Sequence, residues 1–235
     1  MNNWFYNPEV KFHMWGAPHL FTIIILITLF CSIYLCRRLL LPYRRRIRLT
    51  VGWGLIISRI SLDIWYIQTG MWDINSSLPL ELCSIASLAC AIMLLTKNHY
   101  IFEAFYFIAI GGAIQAIATP DLYFGFPQYR YMQFFIDHFL LILSPLIMIW
   151  LYQFTITLRS LLRAFITINC IAVIVFIVNI VASANYMFLI QKPSGSSLLD
   201  FLGPYPYYLL SLEGITLFIF FLLYLPFTFK NKRII

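Results

Sequence analysis

Two reactive side chains lie in stretches of the sequence that are otherwise strongly apolar. Cys83 and His138 are each flanked by hydrophobic residues of the kind that cross a membrane. A thiol needs a base to become a nucleophile, and histidine is the side chain best suited to that role near neutral pH. The pair therefore predicts nucleophilic chemistry on a lipid ester. The alternative is that Cys83 packs as a small hydrophobic residue and that His138 is a hydrogen-bonded structural group.

The composition indicates the environment in which this chemistry would take place. Of the 235 residues, 62% are hydrophobic and 11% are charged, and the mean hydropathy is +0.85. A soluble fold of this length could not bury so much apolar surface. The apolar runs are long and continuous, which favours helices over a β-barrel. The sequence predicts an all-α polytopic membrane protein that forms one integral membrane domain over 1–235.

The apolar runs predict seven membrane spans, because a spanning helix needs about 20 mainly apolar residues. Only Lys97 and Asn98 separate the third span from the fourth, so the third and fourth spans should form a close antiparallel hairpin. The spans are expected at about 18–36, 49–69, 79–96, 99–119, 131–152, 163–186 and 207–228.

The basic residues predict the orientation of this bundle. The side of the membrane that contains the C-terminus has twelve basic residues, the other side has three (Lys11, Arg130 and Lys192), and Arg59 lies within the second span. The positive-inside rule then predicts an external N-terminus and a cytoplasmic C-terminus in the cell membrane. Attraction to anionic lipid explains the net charge of +7 without a nucleic-acid partner. The twelve are Arg37, Arg38, Arg44, Arg45, Arg46, Arg48, Lys97, Arg159, Arg163, Lys230, Lys232 and Arg233.

The remaining reactive residues do not predict a cofactor or a metal. None of the five cysteines forms a C-x-x-C pair, and the four histidines have no regular ligand spacing. A redox site of paired thiols and a zinc site are therefore not expected.

Polar groups inside the predicted spans lie mainly towards the outer leaflet. Each costs free energy in hydrocarbon, so a common depth calls for an explanation. A water-accessible cavity that opens to the outer leaflet would collect them at one level. The alternative is a buried ion network of Arg59, Asp63 and a neighbouring glutamate that only fixes helix packing. The layer comprises His19, Arg59, Asp63, Glu81, Gln115 and Glu213, together with Cys83 and His138.

Several strings, taken together, resemble the bacterial YwaF-like integral membrane proteins, which are similar in turn to the eukaryotic transmembrane protein 164 family. The resemblance extends from His19 to Pro226 and implies a seven-helix bundle. The strings are LPLELC at 78–83, GGAIQAIATPD at 111–121, FFIDH at 134–138 and LLDFLGPYPYY at 198–208.

The resemblance also implies a role for Cys83 and His138. In the eukaryotic branch, a cysteine and a histidine at this spacing act in acyl transfer to ether lysophospholipids. Membrane lipid would then be both acyl donor and acceptor, and a thioester on Cys83 would link the two half-reactions. Glu81 departs from the bacterial pattern, in which a histidine is usual. A second base at that position is therefore in doubt, and the carboxylate could instead pair with Arg59 or orient His138.

The other polar groups would support this reaction. Arg59 could hold a phosphate or stabilise an oxyanion, Gln115 could be a neutral donor, and Asp63, Glu81 and Glu213 could orient the site. A non-enzymatic alternative is a solute-binding or transport protein that uses Arg59, Asp63 and Glu213 as its ligand site. A third possibility is an accessory subunit whose polar layer meets a partner helix.

Overall fold

The computed structural model describes residues 4–192 and 198–231, so Lys232 and Arg233 lie outside the described residues. The described chain is helical, and apart from one isolated bridge between Lys11 and Phe124 those two ranges contain no β-structure. Seven of the helices are long, which confirms the predicted all-α fold. The helices are α1 (Ala17–Leu35), α2 (Arg37–Leu40), α3 (Arg44–Thr69), α4 (Leu82–Thr96), α5 (His99–Ala118), α6 (Tyr129–Tyr152), α7 (Leu158–Ala182) and α8 (Tyr207–Asn231).

Five of these helices, α1, α5, α6, α7 and α8, are long and apolar enough to cross a membrane. The other two long helices fall short for different reasons. Helix α3 contains Arg59 and Asp63 in the stretch that follows its initial arginines, which lowers its hydropathy, and α4 has only 15 residues. At roughly 1.5 Å per residue, α4 is shorter than the hydrocarbon layer of a bilayer. The segment that precedes α4 must therefore cross the rest of the hydrocarbon layer.

Helices α5 and α6 form the centre of the bundle. Their apolar windows are 61% and 67% buried, whereas those of α1 and α8 are each 11% buried. Helices α3 and α4 pack against this central pair, α7 and α8 pack against α5, and α1 contacts α6. The outer helices expose their apolar side chains on the surface that lipid would cover. Cys83 and His138 therefore belong to the inner group of four helices, α3 to α6.

The third span begins later than predicted, at Leu82 rather than at 79. The preceding residues are held in turns: Ser77 N–H donates to the Asp73 carbonyl at 2.7 Å, and Leu78 N–H donates to the Tyr186 hydroxyl at 3.0 Å. Pro79 therefore lies before the helix and not in its first turn. The contact with Tyr186 joins residues far apart in sequence, which local patterning does not reveal.

The sixth span is displaced towards the N-terminus, at Leu158–Ala182 rather than 163–186. Thr157 and Ser160 form a reciprocal capping box, which starts the helix early. Asn179 ends it: its Oδ1 accepts from Tyr186 N–H at 2.8 Å and its Nδ2 donates to the Tyr186 carbonyl at 2.9 Å. The second span also starts earlier than 49, at Arg44.

Tyr186 then joins this turn to the segment before α4. Its hydroxyl donates to the Ile74 carbonyl at 2.6 Å and accepts from Leu78 N–H. Burial raises the pKa of the Tyr186 hydroxyl above its usual value, so the hydroxyl keeps the proton that it donates. The position of the segment before α4 therefore depends on the end of α7.

Two buried polar features of the bundle find partners within the protein. Ser144 Oγ donates to the Leu141 carbonyl at 2.8 Å, which replaces the helical bond that Pro145 cannot form. Glu103 is buried, accepts from Ser160 Oγ at 2.6 Å and forms an ion pair with Arg163. This carboxylate therefore links α5 to α7.

The N-terminal segment covers the end of the bundle at which α4 and α6 begin, which we call the Cys83 end. Phe12 N–H donates to the Tyr123 carbonyl at 2.8 Å, and Gln128 Nε2 donates to the Val10 carbonyl at 2.7 Å. Trp65 Nε1 donates to the Phe5 carbonyl at 2.8 Å. Because protein closes this end, a lipid would have to approach the polar groups from the side.

Asn179→Ala tests the junction between α7 and the segment before α4. The substitution removes both hydrogen bonds to the Tyr186 backbone from a fully buried position. We expect a loss of about 2 kcal/mol of stability, because two buried backbone groups lose their partners. The loss would be measured as a lower Tm of the detergent-solubilised protein. The exposed Asn75→Ala is the control, and equal Tm values for the two variants would contradict the assignment.

Candidate functional site

Cys83 is the second residue of α4, which has Glu81 as its N-cap and Leu82 as its first residue. Its thiol faces α5, where a β-carbon on Gly112 would lie 4.0 Å from Sγ and 3.9 Å from Leu82 Cδ2. A glycine at this position leaves the space beside the sulfur open on that side.

His138 lies on α6 and is 6% exposed. Its Nδ1 is 2.7 Å from the Phe134 carbonyl. Since a carbonyl oxygen can only accept, Nδ1 must carry the hydrogen in the neutral ring, and Nε2 is then the unprotonated nitrogen. The Phe134 ring lies over the imidazole with the ring centroids 4.1 Å apart. The local helix geometry thus selects the tautomer in which Nε2 can accept a proton.

A hydrogen bond between Ser87 and Asp137 sets the relative depth of α4 and α6. Ser87 Oγ donates to Asp137 Oδ2 at 2.9 Å, and both residues are buried. Ser87 lies one turn beyond Cys83, and Asp137 precedes His138. The two helices run in the same direction, so this bond places Cys83 and His138 within about one and a half helical turns of each other along the bundle. No hydrogen bond joins them among residues 4–192 and 198–231.

Arg59 is the most highly connected cation near this site. It forms an ion pair with Asp63, its Nη2 donates to the Ser77 carbonyl at 2.8 Å, and its Nη1 donates to Ser84 Oγ at 3.4 Å. Its charge is therefore compensated and its donors are occupied. Arg59 ties α3 to the segment before α4 and to the first turn of α4.

Glu81 does not pair with Arg59 or hydrogen-bond to His138. Its Oε2 accepts from Met187 N–H at 3.1 Å, so it links the start of α4 to the turn after α7. Both suggested partners of this carboxylate are wrong in the described structure. Glu81 instead fixes the turn that Tyr186 also holds.

The other three residues of the polar layer lie apart from one another. His19 is buried and uses both ring nitrogens: Nδ1 accepts from Trp15 N–H at 3.1 Å, and Nε2 lies 2.9 Å from the Ile117 carbonyl. Gln115 is exposed on α5. Glu213 accepts from Asn169 Nδ2 at 3.1 Å, which joins α8 to α7.

Arg59, Asp63 and Glu213 therefore do not share a common partner. Sequence reasoning left three neighbours of Cys83 and His138 out of the site: Gly112, Ser87 and Asp137. A signal existed for two of them, since Ser87 follows Cys83 by four residues and Asp137 is adjacent to His138. Gly112 could be recognised only from the packing of α4 on α5.

An open depression of about 320 Å³ on the surface of α7 and a partly enclosed pocket of about 200 Å³ lie at the end of the bundle opposite Cys83. Their linings contain neither Cys83 nor His138, and the predicted outer cavity is not one of them. Within the described ranges, no group of three His, Cys, Asp or Glu side chains could hold a metal ion. The linings are Arg159, Leu162, Arg163, Ile166 and Thr167 for the larger, and Ile33, Arg37, Leu40, Ile47, Leu143, Ile147, Trp150 and Leu151 for the smaller.

The fold and the site define a helical membrane protein with a thiol and an imidazole on two inner helices that contact each other. The chain belongs to the TMEM164 family, whose family model matches residues 14–224. The match includes Cys83, His138 and every long helix except the end of α8, and it confirms the resemblance found in the sequence. No curated protein and no solved structure is significantly similar to the chain.

Gly112→Leu tests the packing of Cys83 against α5. A leucine would fill the space beside Sγ, so we expect alkylation of Cys83 by a small maleimide to slow several-fold. The modification rate would be followed by mass spectrometry of the peptide that contains Cys83. Gly214→Leu is the matched control, because a β-carbon at Gly214 meets nothing within 4 Å. Equal rates in the two variants would show that Cys83 does not face Gly112.

Proposed function

We propose that this protein is an intramembrane acyltransferase or acyl hydrolase that acts on phospholipid esters, with Cys83 as nucleophile and His138 as base. The observation that carries the proposal is the hydrogen bond from His138 Nδ1 to the Phe134 carbonyl. It leaves Nε2 as the proton acceptor on the helix that neighbours Cys83. Membership of the TMEM164 family supports the assignment to lipid acyl chemistry.

The first half-reaction transfers the acyl group to the enzyme. Nε2 of His138 takes the proton of the Cys83 thiol, and Sγ attacks the ester carbonyl carbon. The ester C–O bond breaks, the leaving alkoxide takes the proton from Nε2, and a lysophospholipid departs. The acyl group remains on Cys83 as a thioester. Approach of the ester between α4 and α6 would bridge the two side chains, which form no hydrogen bond without substrate.

The second half-reaction returns the thiol. The hydroxyl of water or of a second lipid gives its proton to His138 Nε2, and its oxygen attacks the thioester carbonyl. The C–S bond breaks, and the Cys83 thiolate takes the proton from Nε2. Water as acceptor gives hydrolysis, and a lysophospholipid gives acyl transfer. Both outcomes use the same atoms of the protein.

Backbone N–H groups at the start of α4 are the best candidates to stabilise the oxyanion. The N-cap residue Glu81 makes no side-chain capping bond, and within the described chain the N–H groups of Cys83 and Ser84 have no acceptor. Such groups suit a developing negative charge at the attacked carbonyl. Arg59 then acts as a positioning residue through Ser77 and Ser84. Asp137 orients α6 through Ser87.

The distribution of charge supports the orientation of this chemistry. The basic segments lie at the opposite end of the bundle from Cys83, so the positive-inside rule favours a cell-membrane protein with Cys83 towards the outer leaflet. The acyl ester would enter sideways from that leaflet, because residues 4–16 cover the end itself. Membrane lipid is then both donor and acceptor, and neither a cofactor nor nucleic acid is required.

Cys83→Ser and His138→Ala test the proposal directly. Each removes one partner of the proton transfer, so we expect turnover to fall at least about a hundredfold. The measurement is release or transfer of a labelled acyl chain from phospholipid in proteoliposomes. Cys31→Ala is the matched control at an exposed cysteine, and it should keep full activity. Unchanged turnover in either Cys83→Ser or His138→Ala would exclude the assigned role.

The transport alternative makes the opposite prediction for two variants. If Arg59, Asp63 and Glu213 form a solute site, Cys83→Ala would leave uptake unchanged and Arg59→Ala would abolish it. Under the acyl-transfer account, Cys83→Ala abolishes chemistry in a folded protein, and Arg59→Ala lowers the Tm as well as the rate. Turnover and Tm measured together on both variants therefore separate the two functions.

A further inference from the structure

Arg130 is a half-buried cation at the Cys83 end of the bundle, in the first turn of α6. Its Nη1 donates to Gln133 Oε1 at 2.7 Å, and Gln133 Nε2 donates in turn to Ser58 Oγ on α3 at 3.0 Å. Gln133 and Ser58 are both buried. A neutral amide that α3 anchors therefore holds the guanidinium in position.

The charge of Arg130 is not compensated within residues 4–192 and 198–231. In these ranges Arg130 takes part in no ion pair, and its bond to Gln133 is the one hydrogen bond of the guanidinium. Arg59 differs, because Asp63 compensates its charge and its donors are occupied. Of the two arginines near the site, Arg130 is the one with N–H groups left for an anion.

The unused donors of Arg130 are accessible. Among the described residues that are not exposed, the one fully buried side-chain nitrogen or oxygen without a hydrogen-bond partner belongs to Arg48. Nε and Nη2 of Arg130 have no partner and are not in that class, so each has surface that an acceptor can contact. An acceptor that approaches Arg130 therefore does not have to displace a protein group.

Arg130 lies close to the imidazole of His138. Arg130, Phe134 and His138 follow one another at intervals of four residues along one side of α6. The guanidinium carbon is 5.4 Å from the centroid of the Phe134 ring, and that centroid is 4.1 Å from the imidazole centroid. The guanidinium carbon is then at most about 9.5 Å from the imidazole centroid, which is the sum of the two distances.

This separation matches the distance between the phosphate and the esters of a glycerophospholipid. Five or six covalent bonds join the phosphorus to an ester carbonyl carbon, and extended they span about 6–7 Å at standard bond lengths. Guanidinium groups bind phosphate through paired N–H donors. A phosphate on Arg130 would therefore bring the ester carbonyl within reach of the His138 side chain.

We propose that Arg130 binds the headgroup phosphate of the lipid substrate and so places the ester beside His138. This inference rests on the proposed acyl chemistry and names what its site selects, an acyl ester of glycerol phosphate over an uncharged glyceride. Gln133 is a positioning residue, because it holds the guanidinium. Free inorganic phosphate has the same anionic group but no ester and no acyl chain.

The test compares two esters with the same acyl chains, phosphatidylglycerol and diacylglycerol, using the full chain in proteoliposomes. In Arg130→Met, we expect kcat/KM to fall at least about tenfold for phosphatidylglycerol and to stay within about twofold for diacylglycerol. Arg130→Lys should keep part of the activity on phosphatidylglycerol, because lysine retains the charge without the paired donors.

Lys11→Met is the matched control, since it removes an exposed cation from the same end of the bundle. It should change the turnover of neither ester. Equal losses on both esters in Arg130→Met, or a loss on phosphatidylglycerol in Lys11→Met as large as that in Arg130→Met, would overturn the proposal.

A binding measurement separates this proposal from the acyl chemistry on which it rests. In Cys83→Ala protein purified in mild detergent and depleted of lipid, native mass spectrometry should show added phosphatidylglycerol bound. Adding Arg130→Met should weaken that binding at least about tenfold and leave diacylglycerol binding unchanged. Arg130-dependent binding without turnover in the wild type would exclude the acyl chemistry and support the phosphate site. Binding that Arg130→Met does not weaken, or full displacement of the lipid by millimolar inorganic phosphate, would overturn the proposal.

Discussion

The guanidinium of Arg59 joins three segments that meet at the start of α4. It binds Asp63 on its own helix, the Ser77 carbonyl in the preceding segment and Ser84 Oγ in the first turn of α4. Burying such a group in a helical bundle costs free energy unless acceptors in the protein satisfy its donors. The position of the segment before α4 therefore depends on Arg59, and the position of Cys83 depends on that segment.

The same constraint separates the two ends of the molecule. At the Cys83 end, backbone carbonyls, hydroxyls and carboxylates satisfy the buried donors, and residues 4–16 cover the surface. At the opposite end, Glu103 compensates Arg163, but among the described residues Arg48 forms no ion pair and has one unused donor. A closed end with compensated groups suits chemistry that must exclude water. An end with excess positive charge suits contact with anionic lipid headgroups.

Long apolar runs explain why the sequence predicted seven long helices in the order in which they occur. Hydrophobicity is a local property, and it determines where helices can cross a bilayer. The starts and ends were less predictable where distant residues decide them. Tyr186 and Arg59 hold the segment that keeps α4 from starting at 79, and Asn179 ends α7 at Ala182 by bonding to Tyr186.

The candidate site shows the same division between local and distant information. Residue chemistry predicted Cys83 and His138, and the helix pattern predicted that the two lie near one depth. The roles of Glu81 and His19 depended on long-range partners, Met187 N–H and the Ile117 carbonyl, which no spacing rule could reveal. The tautomer of His138 follows from a hydrogen bond within one helix turn. The position of His138 relative to α4 depends on the long-range hydrogen bond between Ser87 and Asp137.

The most direct test of the central claim is the intact mass of the protein purified with phospholipid, measured with and without hydroxylamine. The account predicts an added acyl mass on Cys83 that hydroxylamine removes, because hydroxylamine cleaves thioesters. The mass of the adduct would also identify the acyl chain. No adduct in the presence of phospholipid, or an adduct on Cys31 or Cys170 instead of Cys83, would contradict a thioester mechanism.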